Sequence, residues 1–83
     1  MEDLKRGDQV ASISCLLDGI DHPDVEFGFV TSKIHYFAFV RYWSKINPNE
    51  LRTKDNSEAT PVENLVRHQY KPQEEIDELL KVL

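Results

Sequence analysis

Eight consecutive residues, Tyr36-Phe37-Ala38-Phe39-Val40-Arg41-Tyr42-Trp43, constrain the fold of this chain more than any other segment. Aromatic and β-branched side chains suit a pleated, half-buried surface, and this run contains little else. Phe37, Phe39, Arg41 and Trp43 alternate with Tyr36, Ala38, Val40 and Tyr42. Both faces are therefore largely apolar, which predicts a central strand covered at least in part on each side. Phe37 and Phe39 are expected in the core, with Trp43 at its margin.

Two further segments read as strands. Gln9 to Leu17 is apolar-rich with imperfect alternation: Val10, Ser12, Ser14 and Leu16 share one face, and Ala11, Ile13, Cys15 and Leu17 the other. Val25 to Ile34 carries Phe27, Phe29 and Val30 around Gly28, where a bulge or a close backbone approach is expected. Ser32 to His35 is the expected hairpin connection. Leu51-Arg52-Thr53 reads as a short edge strand, and Leu65-Val66 as a closing one. Thr60-Pro61-Val62-Glu63 has the form of a capping box with proline at the first helical position, predicting one helical or 3₁₀ turn.

From Pro72 onward the pattern changes. Ile76, Leu79, Leu80 and Leu83 fall on one helical face, with Glu74 and Glu75 in the first turn, where the helix dipole favours acids. A helix this short needs a surface to pack on. With 83 residues the chain has room for one domain (1–83), read as a β unit over 7–66 and an amphipathic helix over 72–83. A chain of this size buries only about two-thirds of its unfolded surface. A deep substrate cleft is not expected.

The net charge of -5 disfavours general nucleic-acid binding, which needs a surplus of Lys and Arg. Cys15 is the only cysteine, so no internal disulfide can form. The first residues lack an apolar leader core, and no apolar stretch approaches membrane-spanning length. A cytoplasmic location is expected.

The order of Gly7-Asp8-Gln9-Val10, Gly28-Phe29-Val30, Phe39-Val40-Arg41-Tyr42 and Thr60-Pro61-Val62-Glu63-Asn64-Leu65 resembles the small SH3-like barrel of KOW and Tudor-type domains. The stretch from Asp21 to Ser32 also resembles small uncharacterised proteins of bacteriophage genomes. The resemblance implies a mainly β fold, a five-stranded SH3-like barrel with a short C-terminal α-helix. It also implies a binding role in the cytoplasm of a bacterial host. Such folds serve many ligands, so it implies no particular one.

Several residues could carry chemistry. Asp18, Asp21, His22, Asp24 and Glu26 make an oxygen-rich loop, but the spacing fits no calcium loop and Gly19 and Pro23 account for it as turn chemistry. No metal or cofactor is expected. Cys15 with His22, His35 or His68 would be the only nucleophile and base, and a thiol in an apolar strand packs as a small hydrophobe. No phosphate loop, G-x-S-x-G or metalloprotease motif occurs, so no enzyme is expected. The binding candidates are Arg41, Tyr42, Trp43, Lys45 and Arg52, in which aromatic rings adjoin the basic residues of mid-chain, Lys33 and Lys54 included. Ile76, Leu79, Leu80 and Leu83 either cap the β unit or form a partner or dimer seam.

Three readings follow. The first is a phage-type accessory protein or inhibitor acting through protein–protein contact. The second is a nucleic-acid-binding SH3-like barrel, and the third a structural component acting as an oligomer, so that the chain is a monomer or a homodimer.

Overall fold

The aromatic run forms the strand expected of it. In the computed structural model, which describes residues 3–13, 24–53 and 56–83, that strand is β3, Phe37–Tyr42. It lies between β2, Glu26–Ile34, and β4, Glu58–Pro61, in one antiparallel sheet. β1, Gln9–Ser12, pairs on the other side of β2, and β5, Leu65–Arg67, pairs with β1. The order is β4-β3-β2-β1-β5, followed in sequence by the helix α1, Gln73–Leu80. The strand reading for residues 14–17 falls outside the described residues.

The sheet is not closed into a barrel. β4 and β5 stand at opposite edges although only a 3₁₀ turn, Val62–Asn64, separates them in sequence. They span four and three residues, and Pro61 can give no donor, so neither edge offers much to a ladder. The gap is filled by side chains instead. Val10, Val30, Ala38, Val40, Tyr42 and Leu65 line the inner face with Leu4, and Val62 packs against them. The Tyr42 hydroxyl shares a 2.6 Å hydrogen bond with Thr60 Oγ1 in this interior.

Thr60 is therefore committed to the core and caps nothing. The 3₁₀ turn begins one residue later than its sequence suggests, with Pro61 at the cap position and no side-chain cap. The hairpin turn also moves. β2 runs on to Ile34, which pairs with Phe37, so His35 and Tyr36 form a two-residue loop. Leu51-Arg52-Thr53 makes only a bridge between Leu51 and Trp43, supported by the Tyr42 N–H donating to Thr53 Oγ1 at 2.9 Å.

Gly28 is a site of close approach, as its place in a strand suggests. A Cβ there would fall on the Arg41 carbonyl oxygen and lie 2.9 Å from Val40 Cγ1. The irregularity in the ladder comes further on, between Val30 and Ser32, where the Thr31 hydroxyl donates to the Phe39 carbonyl at 3.1 Å.

The outer face of the sheet carries a second core. Cross-strand pairing puts Gln9, Phe29 and Arg41 side by side, with Ala11 next to Phe27. α1 covers this half: Ile76 is wholly buried against Phe29 and Trp43, and Leu79 and Leu80 pack around them. The lead-in to the helix is pinned by the buried Gln9 amide. Its Oε1 accepts the N–H groups of Tyr70 and Lys71 at 3.1 and 2.9 Å, and its Nε2 donates to the Lys71 carbonyl at 2.7 Å. Tyr70 stacks on Phe27 with centroids 4.6 Å apart. The helix is thus packed on the sheet through this second core.

Burial pushes the Tyr42 phenol above its ordinary value, and the carboxylates of Glu58 and Glu26 push it the same way. The hydrogen bonds to Thr60 and Ser12 oppose this but do not outweigh burial. The unfolded chain gives up this proton first as pH rises. The stabilisation is therefore whole below about pH 10 and is lost as pH climbs from there toward the folded value. Urea titrations between neutral and strongly alkaline pH should show that loss, and Tyr42→Phe should shrink it while costing about 1 kcal/mol at neutral pH.

Candidate functional site

Arg41 marks a boundary on the outer face. On one side lie Phe27, Phe29 and Trp43 beneath the helix. On the other the same face continues through Phe39, Phe37, Ile34 and Ala59, joined by the pairs Ile34–Phe37 and Phe39–Ala59. Helix α1 does not reach this half. Phe37 is 48% exposed, Ile34 is exposed, and Phe39 is half-buried. The expected core placement of Phe37 and Phe39 therefore fails: parity puts them on the outer face, opposite the buried Ala38 and Val40, and α1 covers only the other half of that face, leaving Phe37 exposed and Phe39 half-buried.

Tyr36 extends this patch from the hairpin tip and is 83% exposed. Its backbone is fixed even so, since its carbonyl accepts the Val62 N–H at 2.8 Å. His35 precedes it in the left-handed region at φ 53, a conformation that a non-glycine residue holds at a cost of order 1 kcal/mol. Two shallow apolar depressions of about 540 and 640 Å³ flank the tip. Ile34, Phe39 and Ala59 line the first, Pro61 and Val62 the second, and Tyr36 with Phe37 divides them. Pro61 sits on the outer edge strand, which blunts backbone pairing there and leaves side chains to carry recognition.

The residues singled out from sequence lie elsewhere. Tyr42 is 1% exposed and points into the inner core, so its ring presents no free face. Trp43 is 4% exposed, covered by α1 and by the Lys71 ammonium 4.6 Å from its ring centroid. Arg41 Nη1 donates to the Thr53 carbonyl at 2.9 Å. Arg52 bridges Glu26 and Glu58 at 2.7 and 3.1 Å. Burial alone would lower the Arg52 guanidinium, but the two carboxylates outweigh it and hold it above its ordinary value. Lys45 is exposed in the loop after Trp43. These groups adjoin one another, yet they do not form an open basic strip beside a free aromatic ring.

The helical stripe is spent within the chain. Ile76 is buried, Leu79 and Leu80 are half-buried, and only Leu83 remains exposed. Asp18, Asp21, His22 and Cys15 lie outside the described residues, while Glu26 is engaged by Arg52. His68 packs on Phe27, with ring centroids 5.1 Å apart. Among the described residues no helix is long and apolar enough to cross a membrane, and no cluster of three or more His, Cys, Asp or Glu is gathered for a metal. Comparison with protein-family models, curated proteins and solved structures finds no match to this chain.

Proposed function

We propose that this chain is a non-enzymatic protein-interaction module that docks a partner on the uncovered half of its outer face. One observation carries the reading: Tyr36, Phe37 and Ile34 stand exposed together on a hairpin whose backbone is fixed. Contiguous exposed aromatics on rigid backbone are costly to maintain in water and are the residues that anchor interfaces. The strand order β4-β3-β2-β1-β5 with a 3₁₀ turn before the last strand supports an open relative of the SH3-like barrel. The role is that of a phage-type accessory protein or inhibitor acting in a bacterial cytoplasm. A nucleic-acid role has less support, because Arg52 is neutralised by two carboxylates and Lys71 already occupies the Trp43 ring.

The test is affinity capture from extract of the host cells, with the parent chain and with a Tyr36→Ser/Phe37→Ser variant. Tyr36 is exposed, so its change should cost less than about 0.5 kcal/mol. Phe37 is half exposed within β3, so its change should cost about 1–2 kcal/mol. Partner affinity should fall by about 2 kcal/mol or more, roughly 30-fold. Equal capture by a folded double variant would remove the hairpin patch from the account.

A further inference from the structure

The first of the two depressions at the hairpin holds an imidazole and no carboxylate. His35 lines it with Ile34, Tyr36, Phe37, Phe39 and Ala59, and is the single imidazole, carboxyl or cationic group among them. The charged groups of the flanking elements are engaged elsewhere. Lys33 of β2 pairs with Asp3 at 3.4 Å, Glu58 of β4 pairs with Arg52 at 3.1 Å, and Arg41 of β3 donates to the Thr53 carbonyl. Glu63, from the 3₁₀ turn, lines the other depression. An occupant of the first depression therefore meets apolar side chains and one titratable ring.

The backbone supplies a second observation. His35 is exposed, yet it is held in the left-handed region at φ 53, and the Tyr36 carbonyl beside it is tied to the Val62 N–H at 2.8 Å. The turn thus carries the imidazole to the depression at a fixed place. Its conformational cost is of the kind that clusters at ligand clamps and switch regions.

We propose that His35 makes docking at the hairpin pH-dependent: an uncharged apolar segment of the partner fills this depression, and docking weakens when the imidazole gains a proton. This regulation rests on the docking role proposed above. Apolar cover strips water from the charged ring and brings no carboxylate in exchange, so the docked state favours the neutral ring. Affinity is therefore whole above the pH range in which a free imidazole titrates, and it falls as pH drops through that range. An anionic segment would give the opposite sign, binding more tightly as the ring becomes charged.

The test titrates the ¹⁵N-labelled chain with the capped, uncharged peptide acetyl-Leu-Ala-Leu-amide at about pH 7.5 and about pH 6, on either side of the usual imidazole range. Binding is read at the backbone amides of Phe37 and Ala59. The dissociation constant should rise about three-fold at the lower pH, the change expected when cover disfavours the protonated ring about ten-fold. His35→Asn should bind equally at both, because Asn tolerates the left-handed turn and does not titrate. His68, on the covered half of the face, remains in that variant. Equal affinity of the parent at the two pH values, tighter binding at the lower one, or the same loss in His35→Asn would each overturn the switch and leave hairpin docking standing. No response of Phe37 or Ala59 at either pH would remove the docking surface and the switch with it.

Discussion

Gly28→Ala should cost more than about 3 kcal/mol and abolish cooperative unfolding in a large fraction of conditions, an effect in the diagnostic tail for single substitutions. The added methyl group meets backbone, not a flexible side chain: the Arg41 carbonyl oxygen and, at 3.0 Å, its carbonyl carbon. Relief requires β2 and β3 to separate at the centre of the sheet, where Gly28 pairs with Tyr42 on one side and Val10 on the other. A chain of this length has a total stability of about 4–12 kcal/mol. The melting temperature should therefore fall by at least about 12 °C, as each kcal/mol moves a small domain about 4–8 °C. Gly7→Ala is the control. Gly7 has φ +97 but its added Cβ meets only side-chain atoms at ordinary contact distance, Leu80 Cδ1 at 3.5 Å and Gln73 Nε2 at 3.9 Å, so the substitution carries conformational strain without a backbone collision. It should cost about 1 kcal/mol. Equal losses at the two glycines, read by thermal and urea unfolding, would contradict the tight β2–β3 crossing.

Ile76→Ala is the second large effect. Ile76 is 0% exposed and joins α1 to Phe29 and Trp43, so truncation removes the contact that docks the helix. A loss of about 2–5 kcal/mol is expected for an aliphatic residue this deeply buried. The helix has eight residues and is marginal on its own, so it should fray once the anchor goes. Trp43 would then meet water, and its fluorescence should shift to the red at temperatures below the main transition. A parent-like emission maximum combined with a small stability change would mean that α1 is not part of the core. Ile76→Glu should unfold the chain for the same reason, whereas a folded monomer derived from a dimeric parent would restore the seam reading.

Local pattern carried much of this architecture. β2 and β3 were legible because β-branched and aromatic residues crowd them, and α1 because Ile76, Leu79 and Leu80 recur at helical spacing. Gly28 was legible as either a bulge or a close approach, and the structure selects the second, with the ladder irregularity further on between Val30 and Ser32. β4 was not, since Glu58-Ala59-Thr60-Pro61 has little intrinsic strand preference and gains its conformation from pairing with β3. The open sheet was not legible either: a closed barrel was expected, but closure depends on edge pairing that short strands and Pro61 do not provide.

The candidate site failed for a related reason. Alternation tells which residues share a face but not which part of that face is covered. An eight-residue helix is about 12 Å long, and the nine-residue β2 is about 30 Å long. The helix must therefore leave apolar residues at one end of the sheet uncovered. The helix expected over 72–83 is also shorter than the strands, but which end stays uncovered is set by the packing of Ile76 on Phe29 and Trp43, and that contact is not legible in the sequence. Trp43 looked like a surface ring because it precedes a polar loop, yet tertiary packing places α1 and Lys71 on it.

The most direct measurement is site-specific photo-crosslinking in host-cell extract, with a benzophenone side chain at Tyr36 or, as control, at Glu74 on the exposed face of α1. The account predicts a discrete adduct with a second protein from position 36 that is absent from position 74 and lost when Phe37→Ser is added. No adduct at 36, the same adduct from both positions, or an adduct of two copies of this chain alone would contradict it.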